Sequence, residues 1–584
     1  MLYYACSYVP LEILISSGLP FRRLPVNRAF EHPELHTNLC GYCKAVYSKV
    51  TELSEEDVFI TVDSCDAMRR MGDVIQQQSS CRVFSLRLPW KKDSSATEFF
   101  RTQLEALNRF LSELRGQEIT RDDLDRGISQ FNMMVDKLLA MHMTGVPYHQ
   151  INEAFFLAEQ GQLYNNPSEP SHGTGPRIAY LGAVSDAVMI EEVVRAAGGI
   201  LVLNESCMGM RGFTAKTEKK EPFLLSVATR LISGRIPCGR FAEGLSEYTA
   251  RLLREVNADG IVFGIPKFCD FYGFQLAMTE LLLPHTVVEI DFGDSSRGQL
   301  LTRVGAFMES LKREVPGTRK EKSGSFYAGI DSGSTTTNIV VLDQKGEIVF
   351  SHSRKTGVYP KKVADELFSQ MLQEVGIGAS DISCCIATGY GRENVSFATS
   401  SVTEITCHAR GARKLLPEIN TVIDIGGQDS KVISLEDRDM VRDFTMNDKC
   451  AAGTGRFLEV MSGIMEEDLQ QMSEAAFRSK KALSISSVCT VFAESEVISL
   501  ISNGEKIEDI SAALFRAIAK RILAMFKRVS GRGPVGFTGG VAKVPGMARA
   551  LEDAIGDEII VPPHPDIAGA LGAALLAMEQ GEKK

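Results

Sequence analysis

Short apolar runs alternate with helical patterns through the first half of the chain. The strand-like runs are VFITVDSCDAMRR, RIAYLGAVSD, GGILVLNESC, GIVFGIPKFCD and TVVEIDF, in which apolar residues come first and acidic or Gly-rich residues follow. Strands that alternate with helices form parallel sheets covered by helices, so the pattern predicts an α/β fold. Polar residues that end such strands lie where open α/β sheets bind their ligands.

Two breaks in the pattern predict the domain boundaries. Residues 312–325, KREVPGTRKEKSGS, combine charge with Pro and Gly just before the apolar run FYAGI, as a linker does. A polar, helix-rich stretch and the segment NNPSEPSHGTGP divide the part before this linker into lobes of about 1–165 and 176–311. We therefore expect a pair of Rossmann-like, parallel-sheet lobes over 1–311 and a further domain over 326–584.

The part after the linker contains an internal repeat. Residues 326–343 and 421–435 each consist of a strand, a Gly-rich acidic turn and a second strand. Their aspartates, Asp331 and Asp424, are 93 residues apart. A duplicated unit of this kind predicts two facing lobes with a cleft between them.

The residues of these turns are suited to binding a nucleotide. Gly333, Gly426 and Gly427 permit tight turns, and the hydroxyls of Ser334, Thr335 and Thr336 can donate to phosphate oxygens. Asp331 and Asp424 can hold Mg²⁺ through water. A third Gly-rich turn, FTGGVAKVPG, follows a strand and suits packing against adenine and ribose.

Two cysteines of this domain stand directly before helix-like runs, Cys450 in NDKCAAGTGRFLEVM and Cys489 in SSVCTVFAESEVISL. A thiolate-bound metal cluster is anionic, and a helix N-terminus favours an anion. Two cysteines cannot complete a four-cysteine site. We therefore expect a homodimer in which each chain supplies half of the ligands.

The order of the three turns resembles that of the superfamily of acetate and sugar kinases, Hsp70 and actin. The motifs GIDSGSTTTN, TGYGR, VTEITCHARGA, VIDIGGQDSKVI, MNDKCAAGTGRFLEV and CTVFAESEVISL resemble, more narrowly, the activators of 2-hydroxyacyl-CoA dehydratases and the ATPase subunits of benzoyl-CoA reductases, over residues 326–584. The resemblance implies an ATPase with Mg²⁺ and a [4Fe-4S] cluster that bridges two subunits through Cys450 and Cys489. It also implies ferredoxin or flavodoxin as the electron donor.

The same resemblance assigns roles at the nucleotide site. It gives nucleotide contacts to Ser332, Gly333, Ser334, Thr335, Thr336, Gly426, Gly427, Gly539 and Gly540. It gives catalytic roles to Asp331 and Asp424, and it makes Gln428 a candidate for orienting the attacking water. The alternative for Gln428 is a solvated turn residue.

Six cysteines of the first half lie in Gly-rich, Pro-rich or acidic turns: Cys40, Cys43, Cys65, Cys207, Cys238 and Cys269. Only the first two have C-x₂-C spacing, which alone favours zinc or a redox pair as much as iron–sulfur. The surroundings resemble the D-component of 2-hydroxyacyl-CoA dehydratases. That family implies one [4Fe-4S] cluster on three cysteines, here one of Cys40 and Cys43, with Cys65 and Cys269.

All six cysteines together resemble the double-cubane reductase branch, in which six cysteines hold two bridged cubanes. The alternative for Cys207 and Cys238 is burial as small core residues, and packing is also the interpretation of Cys6. Cys81, Cys384, Cys385 and Cys407 lie in apolar stretches and are predicted to be buried.

Composition narrows the class of protein. With 584 residues, 44% hydrophobic and 24% charged, the chain is long enough for several cores and has no apolar run of the length of a membrane helix. A net charge of −10 provides no general attraction to nucleic acid. Thirteen cysteines without an export signal favour reduced thiols and a cytoplasmic location.

Three functions remain open from the sequence. The first is ATP-dependent low-potential electron transfer, in which the C-terminal domain supplies electrons to an N-terminal iron–sulfur site that reduces a small molecule, with an acyl-CoA as one candidate. The second is a self-activating (R)-2-hydroxyacyl-CoA dehydratase. The third is a redox-inactive, ATP-dependent phosphotransferase or binding module.

Overall fold

In the part of the chain that the structure describes, four sheets are present, two in each of two units. The computed structural model describes residues 1–26, 35, 39–165, 174–183, 187–236, 238–241, 247–281, 283–290, 292, 296–311, 325–436, 440–447, 451–485 and 490–582. The chain divides into Met1–Leu311, here the N-terminal unit, and Lys312–Lys584, here the C-terminal unit. No helix among the described residues is both long and apolar enough to span a membrane.

The N-terminal unit contains two four-stranded sheets. Its strands are β1 (Leu2–Tyr4), β2 (Phe21–Arg23), β3 (Val58–Val62), β4 (Arg82–Leu86), β5 (Arg177–Gly182), β6 (Ile200–Glu205), β7 (Gly260–Pro266) and β8 (His285–Ile290). The sheet orders are β2-β1-β3-β4 and β6-β5-β7-β8, and every pairing is parallel. The strands are apolar runs because helices cover both faces of such sheets.

Helices surround these two sheets. They are α1 (Leu11–Ser17), α2 (Gly41–Val50), α3 (Asp66–Gln78), α4 (Ser94–Arg115), α5 (Arg121–Thr144), α6 (Tyr148–Ala158), α7 (Ala187–Ala196), α8 (Phe223–Thr229), α9 (Glu247–Glu255), α10 (Asp270–Ala277) and α11 (Ser296–Leu311). One hydrophobic core joins both lobes of the unit. The predicted α/β fold with parallel sheets is confirmed.

The C-terminal unit repeats one sheet topology. Its strands are β9 (Phe326–Ser332), β10 (Thr336–Leu342), β11 (Ile348–Lys355), β12 (Ile382–Thr388), β13 (Ser400–Ser401), β14 (Thr421–Ile425), β15 (Ser430–Leu435), β16 (Val441–Asn447), β17 (Val535–Thr538) and β18 (Ile559–Ile560). The orders β11-β10-β9-β12-β13 and β16-β15-β14-β17-β18 correspond strand for strand. In each, the first strand pairs antiparallel with the second and parallel with the fourth, which confirms the predicted duplication.

The helices of this unit are α12 (Pro360–Val375), α13 (Glu404–Leu415), α14 (Gly455–Met465), α15 (Leu469–Ala476), α16 (Thr490–Ser502), α17 (Ile507–Arg528), α18 (Pro545–Ile555) and α19 (Ala568–Glu582). α13 and α19 can approach closely because glycine occupies their contact points. A Cβ on Gly411 would lie 1.8 Å from the Ala568 carbonyl oxygen, and a Cβ on Gly572 would lie 1.8 Å from the Cys407 carbonyl oxygen. Cys81, Cys384, Cys385 and Cys407 are buried, as predicted.

Candidate functional site

Two Gly-rich turns face each other in the C-terminal unit. The first joins β9 to β10, where the Gly333 N–H donates to the Thr336 carbonyl at 3.0 Å. The second joins β14 to β15, where the Gly426 N–H donates to the Asp429 carbonyl at 2.9 Å. A Cβ on Gly427 would lie 2.2 Å from the Thr335 hydroxyl. The two halves of the repeat therefore meet at these turns.

The two aspartates of the repeat flank one histidine. Asp331 and Asp424 are the next-to-last residues of strands β9 and β14, and both are buried. His408 on α13 lies between them, with Nδ1 3.2 Å from Asp424 Oδ1 and Nε2 3.7 Å from Asp331 Oδ2. Burial opposes the charge on His408, but the two carboxylates raise its pKa to about 9. An imidazolium thus bridges the two acidic turns.

A buried lysine completes this charge network. Lys431 Nζ lies 2.8 Å from Asp429 Oδ2, 3.3 Å from Glu404 Oε2 and 3.5 Å from Asp424 Oδ2. Burial alone would raise the pKa of Asp424, but His408 and Lys431 hold it well below the usual range. Burial raises the pKa of Asp331. The two aspartates are therefore inequivalent.

Helix α14 begins directly on the second turn. The Gly455 N–H donates to the Gly426 carbonyl and the Arg456 N–H donates to the Gly427 carbonyl, both at 2.8 Å. These two N–H groups belong to the first turn of the helix and have no partner within it. The second Gly-rich turn is thus also the N-terminal anchor of α14.

Thr356 anchors the first turn from outside. Its hydroxyl donates to the Gly333 carbonyl at 2.8 Å and lies 3.0 Å from the Thr337 hydroxyl, and its N–H donates to the Thr335 carbonyl at 2.9 Å. The buried Ser332 hydroxyl has no hydrogen-bond partner among the described residues. An unpaired buried hydroxyl at a phosphate-type turn fits a bound ligand.

The other predicted nucleotide contacts lie around the same turns. Gly539 follows β17 with a φ of 89°, and a Cβ there would lie 2.4 Å from the Ile425 carbonyl oxygen. Gly540 begins a short 3₁₀ helix after Gly539. The side chains of Ser334, Thr336 and Gln428 are exposed. The role predicted for Gln428, which is to orient a water molecule, stays a prediction.

Cys450 and Cys489 lie outside the described residues. Helices α14 and α16 begin shortly after them, at Gly455 and Thr490. These two helices pack against each other. The predicted cluster ligands therefore remain predictions.

One group of cysteines in the N-terminal unit lies at helix N-termini. Cys40, Cys65 and Cys269 are the N-cap residues of α2, α3 and α10. Cys65 Sγ accepts from the Met68 N–H at 3.3 Å. Cys43 hydrogen-bonds both Cys40 and Cys65 through the side chains. Helix N-termini favour anionic sulfur, so this arrangement suits thiolates.

The thiols of this group differ in acidity. The hydrogen bond from Cys43 lowers the pKa of Cys40 to about 7, and it also lowers that of Cys65. Hydrogen bonding to Cys40 and Cys65 raises the pKa of Cys43. Burial raises the pKa of Cys269 to about 12, although that residue lies within electrostatic reach of Cys40 and Cys65.

A second group contains Cys6, Cys207 and Cys238, which interact electrostatically with one another. Cys207 follows β6, as the sequence predicts, whereas Cys238 follows a π-helical turn at Arg230–Gly234. The six predicted ligands thus separate into four and two. Cys6 joins the smaller group, a placement that its apolar surroundings in the sequence did not indicate.

Neither group of cysteines forms a simple metal-ion site among the described residues. Among the described residues, no set of three or more His, Cys, Asp or Glu side chains is placed to hold a metal ion. A cluster supplies its own sulfides, and each cysteine binds a separate iron. Helix N-caps and sulfur–sulfur hydrogen bonds in the first group fit such a cluster.

Comparison with protein families gives two matches. Residues 328–577 match the BadF/BadG/BcrA/BcrD ATPase family. Residues 6–311 match the D-component of 2-hydroxyglutaryl-CoA dehydratase. The chain belongs to both families. The family resemblance stated from the sequence is confirmed for both parts of the chain. The repeated sheet order of the C-terminal unit agrees with the predicted duplication.

Individual relatives match the ATPase-family part. The 2-hydroxyisocaproyl-CoA dehydratase activator of Clostridioides difficile is 44% identical over 261 residues, which are 44% of this chain and 97% of that protein. The activator of lactoyl-CoA dehydratase of Anaerotignum propionicum is 44% identical over 44% of this chain and 100% of its own length. A solved structure of the Clostridium difficile activator with bound ADPNP is 42% identical, with a TM-score of 0.42, and covers 44% of this chain and 96% of that one.

Sequence reasoning missed several residues of the charge network. Glu404 and His408 are four residues apart on α13 and so share one helix face, a spacing visible in VTEITCHARGA. Lys431 follows Asp429 by two positions at the start of a strand, which places both on one face. The spacing of Glu404 and His408, and that of Asp429 and Lys431, could have indicated shared faces. Only the fold shows that these faces converge near Asp424.

Proposed function

We propose that the chain is an ATP-driven electron-transfer enzyme. The C-terminal unit binds and hydrolyses ATP, and the N-terminal unit receives the electron and reduces a small molecule. The observation that carries this proposal is the anchoring of α14 on the nucleotide-site turn by the N–H groups of Gly455 and Arg456. Cys450 lies five residues before this helix.

The residues of the two turns have defined roles in the ATPase step. The proposed role of Asp331 and Asp424 is to hold Mg²⁺ through water, and that of the hydroxyls of Ser332, Ser334 and Thr335 is to donate to phosphate. The His408 imidazolium fixes the distance between the two aspartates. Gln428, exposed at the second turn, is the candidate for orienting the attacking water.

Cys450 and Cys489 of each chain are the proposed ligands of a [4Fe-4S] cluster shared by a homodimer. Such a cluster, when bound, supplies one-electron chemistry, with electrons from a ferredoxin or flavodoxin. The chain's own contribution is the α14 anchor. When nucleotide moves the turn at Gly426 and Gly427, the start of α14 must move with it or lose two hydrogen bonds.

The N-terminal cysteines are the proposed acceptor site. Cys40, Cys43, Cys65 and Cys269 form one ligand group and Cys207 with Cys238 the other. A second candidate function is favoured by the family of residues 6–311: a self-activating (R)-2-hydroxyacyl-CoA dehydratase. About eight irons in the N-terminal unit favour the double-cubane reductase, and about four favour the dehydratase.

Anaerobic iron and sulfide analysis tests these assignments. We expect Cys450→Ser to lose the shared four-iron cluster, which corresponds to about two irons per chain. Light scattering should also show a weaker dimer. Cys269→Ala is expected to lose N-terminal iron and keep ATP hydrolysis. Cys385→Ala, which alters a buried cysteine of strand β12, is the matched control. Unchanged iron in both ligand variants would remove the cluster assignments.

A further inference from the structure

Three buried arginines converge on Cys207. Arg211 Nη1 lies 3.5 Å from the Cys207 sulfur, and Arg23 Nη1 donates to the Cys207 carbonyl. Arg235 Nη2 donates to the Ser7 hydroxyl at 3.0 Å, and Arg235 lies within electrostatic reach of the Cys207 sulfur. Buried cysteines in a plain hydrophobic core have no need for such partners.

Two of these arginines have a carboxylate partner. Arg23 pairs with Glu159 at 2.6 Å, and Arg211 pairs with Glu205 at 2.8 Å. All four side chains are largely withdrawn from solvent. Each of these charges is therefore compensated locally, as buried ions must be.

The third arginine has no such partner. Arg235 is 5% exposed, yet no carboxylate of the described residues forms an ion pair with it, and Glu205, which is within electrostatic reach, already pairs with Arg211. Its other contacts are the Ser7 and Ile236 carbonyls and the face of the Tyr8 ring, 4.3 Å from the guanidinium carbon. A buried cation with only neutral partners is costly unless an anion completes the site. The pocket around Cys207 is thus short of one negative charge.

We propose that Arg235 compensates the charge of an anionic iron–sulfur group held by Cys207 and Cys238. This inference rests on the proposed function, since it requires iron in the N-terminal unit. It makes Arg235 a positioning residue for the second cysteine group and argues that Cys207 is a ligand and not an inert core residue. It also favours two iron–sulfur groups in the N-terminal unit over one.

The test uses the full chain with Cys450→Ser, so that measured iron reports the N-terminal unit. Arg235→Met removes the charge and keeps an apolar side chain of similar length, and Arg235→Lys keeps the charge. Arg22→Met is the matched control, because Arg22 is exposed and its guanidinium contacts the Tyr3 side chain. Three quantities are measured: iron per chain, the midpoint potential of retained clusters, and thermal unfolding of iron-free protein followed by the fluorescence of Trp90, the only tryptophan.

We expect Arg235→Met to lower iron from about eight to about four per chain, or to retain it with a more negative midpoint potential. Arg235→Lys should restore both quantities. In iron-free protein, Arg235→Met should unfold at the same or a higher temperature than the parent, because it removes an uncompensated buried charge.

Two results would overturn the inference while leaving the proposed function intact. One is N-terminal iron whose amount and potential are the same in Arg235→Met and the parent. The other is an equal loss of stability in iron-free and iron-loaded Arg235→Met, which would show a purely structural role. Absence of iron from the parent's N-terminal unit would instead refute the proposed function itself.

Discussion

The His408→Gln variant tests whether an imidazolium holds the two halves of the ATPase repeat together. In the folded chain the pKa of His408 is raised from 6.5 to about 9 by Asp424 and Asp331, against the effect of burial. Each pKa unit corresponds to about 1.4 kcal/mol, so the charged histidine contributes about 3 kcal/mol to the stability of the C-terminal unit. Glutamine cannot carry that charge, and the two aspartates then face each other directly.

The sign of the pH dependence follows from the raised pKa. The contribution of His408 is fully present below pH 6.5, decreases as the pH rises, and is lost above about pH 9. Asp424 behaves oppositely: its pKa is held below 3.8, so its contribution is present above that pH and is lost on acidification. The difference between parent and His408→Gln should therefore be largest near pH 6 and small near pH 10.

Hydrogen exchange measured by mass spectrometry provides the assay, because it resolves the two units of one chain. Peptides from β14 report the free energy of opening around Asp424, and peptides from β7 in the N-terminal unit serve as the internal control. We expect faster exchange in β14 of His408→Gln at pH 6, with β7 unchanged. An equal effect at pH 6 and pH 10 would refute the charge argument and leave only packing.

Three further predictions follow from single contacts. Gly427→Ala places a Cβ 2.2 Å from the Thr335 hydroxyl of the opposite turn. Calorimetric titration with a non-hydrolysable ATP analogue should therefore show at least a tenfold loss of affinity. Gly463→Ala, which lies in open space on α14, should show no loss. Thr356→Val removes the hydroxyl that donates to the Gly333 carbonyl. The same titration should show a binding free energy that is weaker by about 1 kcal/mol. Arg211→Met leaves Glu205 buried without its ion-pair partner. Urea unfolding followed by tryptophan fluorescence should show that the free energy of unfolding falls by about 3–5 kcal/mol. A second substitution, Glu205→Gln, should restore part of this loss.

Much of the fold could be predicted from local patterns. The apolar runs of β3, β6 and β7 end shortly before Cys65, Cys207 and Cys269, and the two Gly-rich acidic turns mark the repeat. These features are local because strand burial and turn geometry are set by neighbouring residues.

The long-range charge pairs could not be predicted. In the sequence, Lys431 resembles any lysine at the start of a strand. Nothing near Arg235 in the sequence shows that its side chain lacks a carboxylate partner. Only the three-dimensional arrangement reveals which buried charge is compensated and which is not. The burial and pairing of a charged side chain depend on segments that are distant in sequence. Arg235, for example, donates to the Ser7 carbonyl, 228 positions away.

Helix N-termini have two different roles in this chain, and the hydrogen bonds distinguish them. At α3 the N-cap sulfur of Cys65 accepts the Met68 N–H, so the helix terminus is directed at sulfur. At α14 the first two N–H groups are already committed to the carbonyls of Gly426 and Gly427. These two N–H groups are therefore not available to a group bound at Cys450, and the start of the helix is tied to the Gly426–Gly427 turn. In the proposed function, a nucleotide-dependent movement of that turn would reach α14 through these two backbone hydrogen bonds, without any change in the proposed cluster ligands.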